Sequence, residues 1–360
     1  MIENARPTPV YFGTYSQDRD ESIFHGQLNP VTGELTIVEG FGGVTNPSFL
    51  ALHPNGAFLY AVAEAGRDDG ATAFAIDADT GGLTRLNTET TTGRGACHIG
   101  LDPAGKTAIV SYYGSGSIAS FPIRDDGTLG PAVSNIQHEG SSVDPKRQQG
   151  PHAHSTNITA DGRFAVTADL GLDKLLVYRL DADTGELTPN DPAAFDLHPG
   201  AGPRHFAFHP TLPTAYIINE LDATMTAARF DAEAGRFEEF QTVSTLPADY
   251  PAGDRKSTAE VVVHPHGKFL YGSNRGHDSL VIYAIDPTEG SLSLVGFQPS
   301  GGREPRNFNI DPTGRWLLAA NQNTDDVQVF AIDGETGRLS PVGEPVSVPR
   351  PVCVKFLPAR

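Results

Sequence analysis

Apolar residues along this chain come in short runs cut by Gly, Asp and Pro, with no sustained helical period. One phrase, apolar-x-apolar-(His/Asp)-Pro-x-Gly, keeps returning. It stands complete at Leu50-Ala51-Leu52-His53-Pro54-Asn55-Gly56 and at Ile99-Gly100-Leu101-Asp102-Pro103-Ala104-Gly105. It recurs at Val261-Val262-Val263-His264-Pro265-His266-Gly267 and at Phe308-Asn309-Ile310-Asp311-Pro312-Thr313-Gly314. Shorter copies are Ile158-Thr159-Ala160-Asp161-Gly162 and Phe206-Ala207-Phe208-His209-Pro210, and Val354-Lys355-Phe356-Leu357-Pro358 is the last of the seven.

Each complete copy continues alike. An apolar strand such as Phe58-Leu59-Tyr60-Ala61-Val62 follows the Gly, then a third strand, then a turn such as Asp79-Thr80-Gly81 or Asp183-Thr184-Gly185, and a fourth strand opening on Leu. Gly supplies the positive φ of such turns, and Asp bonds its own backbone. Four antiparallel strands per repeat of about fifty residues is the propeller pattern. The prediction is an all-β, seven-bladed β-propeller forming one domain over 1–360, structured from about 10 to 358. The N-terminal strands at Val10, Ser22 and Leu35 lack a first strand, and the segment from Val352 to Leu357 supplies it, so the ring closes on itself.

Composition narrows the class. No stretch approaches the ~20 apolar residues of a membrane span, and the first residues carry no secretory pattern. Two cysteines are too few for a disulfide framework. The expected location is the cytoplasm. A net charge of −18 without a basic run argues against nucleic acid as a partner. Any anionic ligand must then be met by arginines gathered locally.

Aligning the repeats on one another shows where they gather. Six residues before each Pro the column reads Ser48, Cys97, His154, Arg204, Ala259, Arg306 and Val352; the next reads Phe49, His98, Ser155, His205, Glu260, Asn307 and Cys353. Eight residues past each Gly stand Glu64, Tyr113, Leu170, Glu220, Arg275 and Gln322, preceded by Ala63, Tyr112, Asp169, Asn219, Asn274 and Asn321. First strands line the channel of a propeller, so these columns meet at one end of it. Ionisable residues concentrate in the third to sixth copies, which marks a site and not a uniform lining. Gln149-Gly150-Pro151-His152-Ala153-His154 adds a second histidine on the same side of its strand.

Arg204, Arg275 and Arg306 can hold a phosphate or carboxylate by bidentate hydrogen bonding. Glu220 and the histidines can move protons; Glu220 can equally neutralise an arginine. His152 and His154 lack further ligands at metal spacing, so neither a metal nor a cofactor is expected. His53, His209 and His264 lie in the turn phrase and read as structural. Glu64 stays open between the two roles.

These residues resemble a known family. YFGTY, QGPHAH, GPRHFAFHP with INE beyond it, and EVVVHPHGKFLYGSNRGHDS are similar to the lactonase seven-bladed propellers, over nearly the whole chain. That family includes 6-phosphogluconolactonases and muconate lactonizing enzymes. The resemblance implies catalytic roles for His154, Arg204, Glu220 and Arg275, with His152 an alternative to His154. The columns and flanking phrases add His152, His205, Arg306, Asn274 and Glu260 as substrate-binding candidates. The implied substrate is a small anionic lactone, and the leading expectation is hydrolysis of 6-phospho-D-glucono-1,5-lactone in the pentose phosphate pathway. A cycloisomerase acting on a carboxylated muconate is the alternative, and a non-catalytic ligand- or protein-binding propeller the second.

Overall fold

The computed structural model describes residues 6–16, 21–66, 69–251 and 253–357. They form twenty-eight strands in seven four-stranded antiparallel sheets. The first blade contains β1 (Thr8–Thr14), β2 (Ile23–Leu28) and β3 (Leu35–Phe41). The second is β4 (Leu50–Leu52), β5 (Phe58–Ala63), β6 (Gly70–Ile76) and β7 (Leu83–Thr90). The third is β8 (Ala96–Leu101), β9 (Thr107–Tyr112), β10 (Ser117–Pro122) and β11 (Ser134–Gln137). The fourth is β12 (Ala153–Ile158), β13 (Phe164–Asp169), β14 (Lys174–Leu180) and β15 (Leu187–Asp196). The fifth is β16 (Pro203–Phe208), β17 (Thr214–Asn219), β18 (Thr224–Asp231) and β19 (Arg236–Ser244). The sixth is β20 (Ser257–Val263), β21 (Phe269–Arg275), β22 (Ser279–Ile285) and β23 (Leu292–Pro299). The seventh is β24 (Pro305–Ile310), β25 (Trp316–Asn321), β26 (Asp326–Ile332) and β27 (Leu339–Ser347). Finally β28 (Pro351–Phe356) pairs antiparallel with β1 and completes the first blade. The fold is the seven-bladed propeller the repeats predict, closed by strands from both ends. Of the predicted limit, Pro358 lies outside the described residues.

Second strands are the most deeply buried. Every residue of β9, β13, β17, β21 and β25 is buried. The apolar clusters sit between blades, as where Phe12 and Val354 of the first blade pack with Trp316 and Leu318 of the seventh. Burying an aromatic or aliphatic side chain of this kind contributes about 1.5–3 kcal/mol.

The recurring turns lock neighbouring blades together. His53, His209 and His264 each place Nε2 2.8–3.0 Å from the carbonyl of the turn glycine one blade on, Gly105, Gly267 and Gly314. Their Nδ1 atoms accept backbone N–H bonds from Asn55, Thr211 and His266. Each imidazole therefore spans two blades with both nitrogens used, the structural role read for it in the sequence. Tyr60, Tyr216 and Tyr271 of second strands do likewise: Tyr271 Oη donates to the Gly337 carbonyl at 2.9 Å. Gly337 has φ 71°, and a Cβ there would fall 2.5 Å from the Phe269 ring, so the turn needs glycine both for its backbone and for this close approach.

Candidate active site

First strands carry a bulge at one common point. The ladders step from Ala96 to His98, Ala153 to Ser155, Pro203 to His205 and Pro305 to Asn307, leaving Cys97, His154, Arg204 and Arg306 without cross-strand partners. β20 steps from Thr258 to Val261, and β28 passes over Val352 in the same way. An extra residue breaks the alternation of a strand and re-aims its side chains. Successive residues can then both face the axis, and Arg204 Nη1 indeed lies 3.2 Å from His205 Nε2. Pro203 and Pro305 stand directly before two of the bulged arginines, where the fixed φ stiffens the approach.

One mouth of the channel opens into a cavity of about 650 Å³. His154, Glu220, Arg275 and Arg306 line it, together with Glu64, Tyr15, Cys97 and Tyr113. At its rim stand Arg147, Arg255 and Lys256, from the segments just ahead of β12 and β20. Cations have been collected here against the chain's overall charge of −18.

Glu220 is the hub of this group. Its Oε2 accepts from Arg204 Nε at 3.1 Å and lies 2.9 Å from Arg275 Nη2, while Oε1 accepts from Arg147 Nη2 at 2.8 Å. Burial pushes the carboxyl up, but Arg275, Arg204 and Arg147 outweigh it and hold it at about 2. A carboxylate so held is a weak proton acceptor and a firm counter-ion. Arg204 is itself buried and its acidity rises, to about 9, through burial and the repulsion of Arg275 and Arg306, with Glu220 opposing. Arg275 is braced by donating to the Thr258 carbonyl at 2.6 Å and to Ser257 Oγ at 2.8 Å. Arg255 forms a two-pronged pair with Glu304, both contacts 2.7 Å. Arg306 lies over the Tyr15 ring and donates to its hydroxyl at 3.0 Å.

His154 is buried, and its Nδ1 has no hydrogen-bond partner. Burial first, then Arg204, His205 and Arg306, keep it well below the usual histidine range, so it is neutral at physiological pH.

The remaining predicted positions fall elsewhere. Arg204 reaches the site through Glu220 and lines a void of about 10 Å³ beneath the main cavity. His205 and Glu260 line a separate cavity of about 150 Å³ farther along the channel, beside His98, Asn307 and Lys355. There Glu260 Oε1 accepts from His205 Nδ1 at 2.9 Å, and Asn307 Nδ2 donates to Oε2. His152 is half-buried behind the site: its ring stacks on Tyr113 at 4.4 Å and its Nδ1 meets the Tyr113 carbonyl at 2.8 Å. Asn274 turns away from the channel and donates to the Thr245 carbonyl at 2.6 Å. Among the described residues no group of three or more His, Cys, Asp or Glu is arranged to hold a metal ion.

Sequence reasoning missed Arg147, Arg255 and Lys256. They lie on loops outside the repeat columns, so aligning blades carries no signal for them. Arg147 is positioned from behind: the next residue, Gln148, donates to Asp173 Oδ1 at 2.7 Å, and Asp173 also accepts from Ser142, Gly200 and Gly202.

Fold and cavity together define a closed propeller with an arginine-rich, polar pocket at one mouth, suited to a small anion. The sequence profile of the family described as "Lactonase, 7-bladed beta-propeller" matches residues 9–356. A protein of Bacillus subtilis (strain 168) named 6-phosphogluconolactonase is 37% identical over 347 residues, covering 96% of this chain and 97% of its own. The solved structure of a Pseudomonas aeruginosa periplasmic gluconolactonase superposes with a TM-score of 0.92 at 31% identity, over 98% of this chain and 99% of its own. A Bacteroides fragilis structure gives 0.91 at 36% identity, over 98% of both chains. The chain belongs to the lactonase family of seven-bladed β-propellers, and it is a lactonase. No helix among the described residues is long and apolar enough to cross a membrane.

Proposed function

We propose that the protein hydrolyses 6-phospho-D-glucono-1,5-lactone to 6-phosphogluconate, in the cytoplasm, as a step of the pentose phosphate pathway. The observation that carries this reading is the two-tier arrangement of cations. Arg275 and Arg306 line the interior of the cavity, where a lactone carbonyl gains negative charge as water adds to it. Arg147, Arg255 and Lys256 stand at the rim, and Arg255 and Lys256 are exposed there. A second anionic group on the far end of the substrate suits that position. A gluconolactone without phosphate offers this rim no anion beyond Glu220 and Glu304, which Arg147 and Arg255 already pair with, and the names of the two relatives differ on this point.

In this reading Arg275 and Arg306 stabilise the oxyanion. Arg204 and Glu220 hold the cluster in place, and neutral His154 offers one hydrogen bond to the sugar or the attacking water. His152 and Asn274 support Tyr113 and the Thr245 backbone, respectively. The test is a panel of purified lactones followed by proton release. The phosphorylated gluconolactone is expected to show the highest kcat/KM, well above plain gluconolactone and above carboxylated five-membered lactones. Equal rates with and without the phosphate overturn the substrate assignment.

A further inference from the structure

Glu64 and Glu220 occupy the same place in their blades, the first residue after the second strand, three blades apart around the ring. They face one cavity from opposite sides, yet their surroundings are opposite in kind. Glu220 is gripped by three guanidinium groups. Glu64 forms no ion pair among the described residues, and its Oε2 is buried with no hydrogen-bond partner. A buried carboxylate oxygen left unpaired at the wall of a polar cavity is one that a ligand, a water or a proton completes.

The groups facing Glu64 come from every element packed round it. Tyr15 follows β1, Ser48 precedes β4, Cys97 is in the bulge of β8, Arg306 is in the bulge of β24, and Asp69 precedes β6. Burial raises the carboxyl above its ordinary value, and Arg306 and the Tyr15 hydroxyl draw it back in part, while Asp69 adds to the rise. Two carboxyls pushed apart in this way divide the work of a site, one fixed as a charge and the other free to exchange a proton. His154 also resists taking up a proton, because burial first and then Arg204, His205 and Arg306 disfavour its charged form.

We propose that Glu64 is the proton-transfer residue of the lactone hydrolysis. This rests on the lactonase reading of the cavity. A water attacks the lactone carbonyl carbon, forming the new C–O bond while its proton passes to Glu64 and the carbonyl oxygen becomes an oxyanion. Collapse of that intermediate breaks the bond between the carbonyl carbon and the ring oxygen. Glu64 returns the proton to the ring oxygen, now a hydroxyl, and the new carboxylic acid releases its own proton to solvent. No oxidant, metal or further reactant enters the balance.

Glu64→Gln keeps the shape of the side chain and removes the proton acceptor. The expected result is a kcat lower by about 10²–10⁴-fold, with KM changed by less than a few-fold. The wild-type kcat should fall on the acid side as Glu64 takes up a proton, and this limb should vanish in Glu64→Gln. Glu64→Asp retains a carboxylate and should keep part of the activity. An active wild type whose Glu64→Gln variant turns over within tenfold of it overturns the proposal and leaves the lactonase reading intact. So does equal loss in the Gln and Asp variants together with lowered melting, which marks a structural role. A wild type that opens no lactone of the panel overturns the reading itself, and the proposal with it.

Discussion

Arg204 Nε donates to Glu220 Oε2 across 3.1 Å, and both side chains are almost fully buried. The same carboxylate also neutralises Arg275 and Arg147, so Glu220→Gln leaves three clustered cations short of one charge. Breaking a buried pair on one side costs about 3–5 kcal/mol. The variant is expected to melt at a clearly lower temperature and to lose activity through disorder of the arginines. A Glu220→Gln protein with wild-type melting and strongly reduced kcat would instead make Glu220 a proton carrier.

The rim cations are expected to read the phosphate. Lys256→Ala and Arg255→Ala should each raise KM for the phosphorylated lactone about 10–100-fold, the worth of a charge-assisted hydrogen bond. Neither should alter kcat/KM for unphosphorylated gluconolactone. A parallel loss on both substrates would place the phosphate elsewhere.

Stability is expected to fall on acidification in two stages. His98 and His154 are held well below the ordinary 6.5 by burial first and then by neighbouring positive groups. A lowered folded-state value means that the unfolded chain binds the proton first. Their contribution is present above pH 6.5 and declines below it. Glu220, at about 2 against an ordinary 4.5, adds a second loss as pH drops from 4.5 toward 2. Melting temperatures from pH 8 to 3 should show an early decline and a later, steeper one. His154→Gln should flatten the first stage.

Gly337→Ala tests the blade-locking turn. The new methyl meets the Phe269 ring, on a backbone with φ 71°, so the loss should be about 1–3 kcal/mol. Gly334→Ala, three residues away with nothing within 4 Å of its Cβ, serves as the control and should melt near wild type.

The repeats made the architecture readable before any coordinates, because each blade restates the same strand lengths and turn residues. The clasp was readable too, since the chain lacks a first strand at one end and has a spare one at the other. The columns also led to His154, Glu220, Arg275 and Arg306, which line one cavity. They could not separate Arg204 from His205. Strict alternation would send such neighbours to opposite faces, and only the bulge shows how both reach the axis and the small void there, with His205 alone continuing into the second cavity. Asn274 carried the same polar signal as its neighbours, but its amide is spent on a backbone carbonyl. Arg147 and Lys256 were invisible because loops obey no repeat, and charge alone does not say where a loop lies.

The void between the two cavities is only about 10 Å³, room for roughly one water molecule. The channel is therefore a blind alley for a lactone, which comes and goes through a single doorway. Opening a lactone ring yields a carboxylate, and that new negative charge must leave past the arginines and lysine at the cavity mouth. Departure, more than arrival, is the stage that this gathering of positive charge slows.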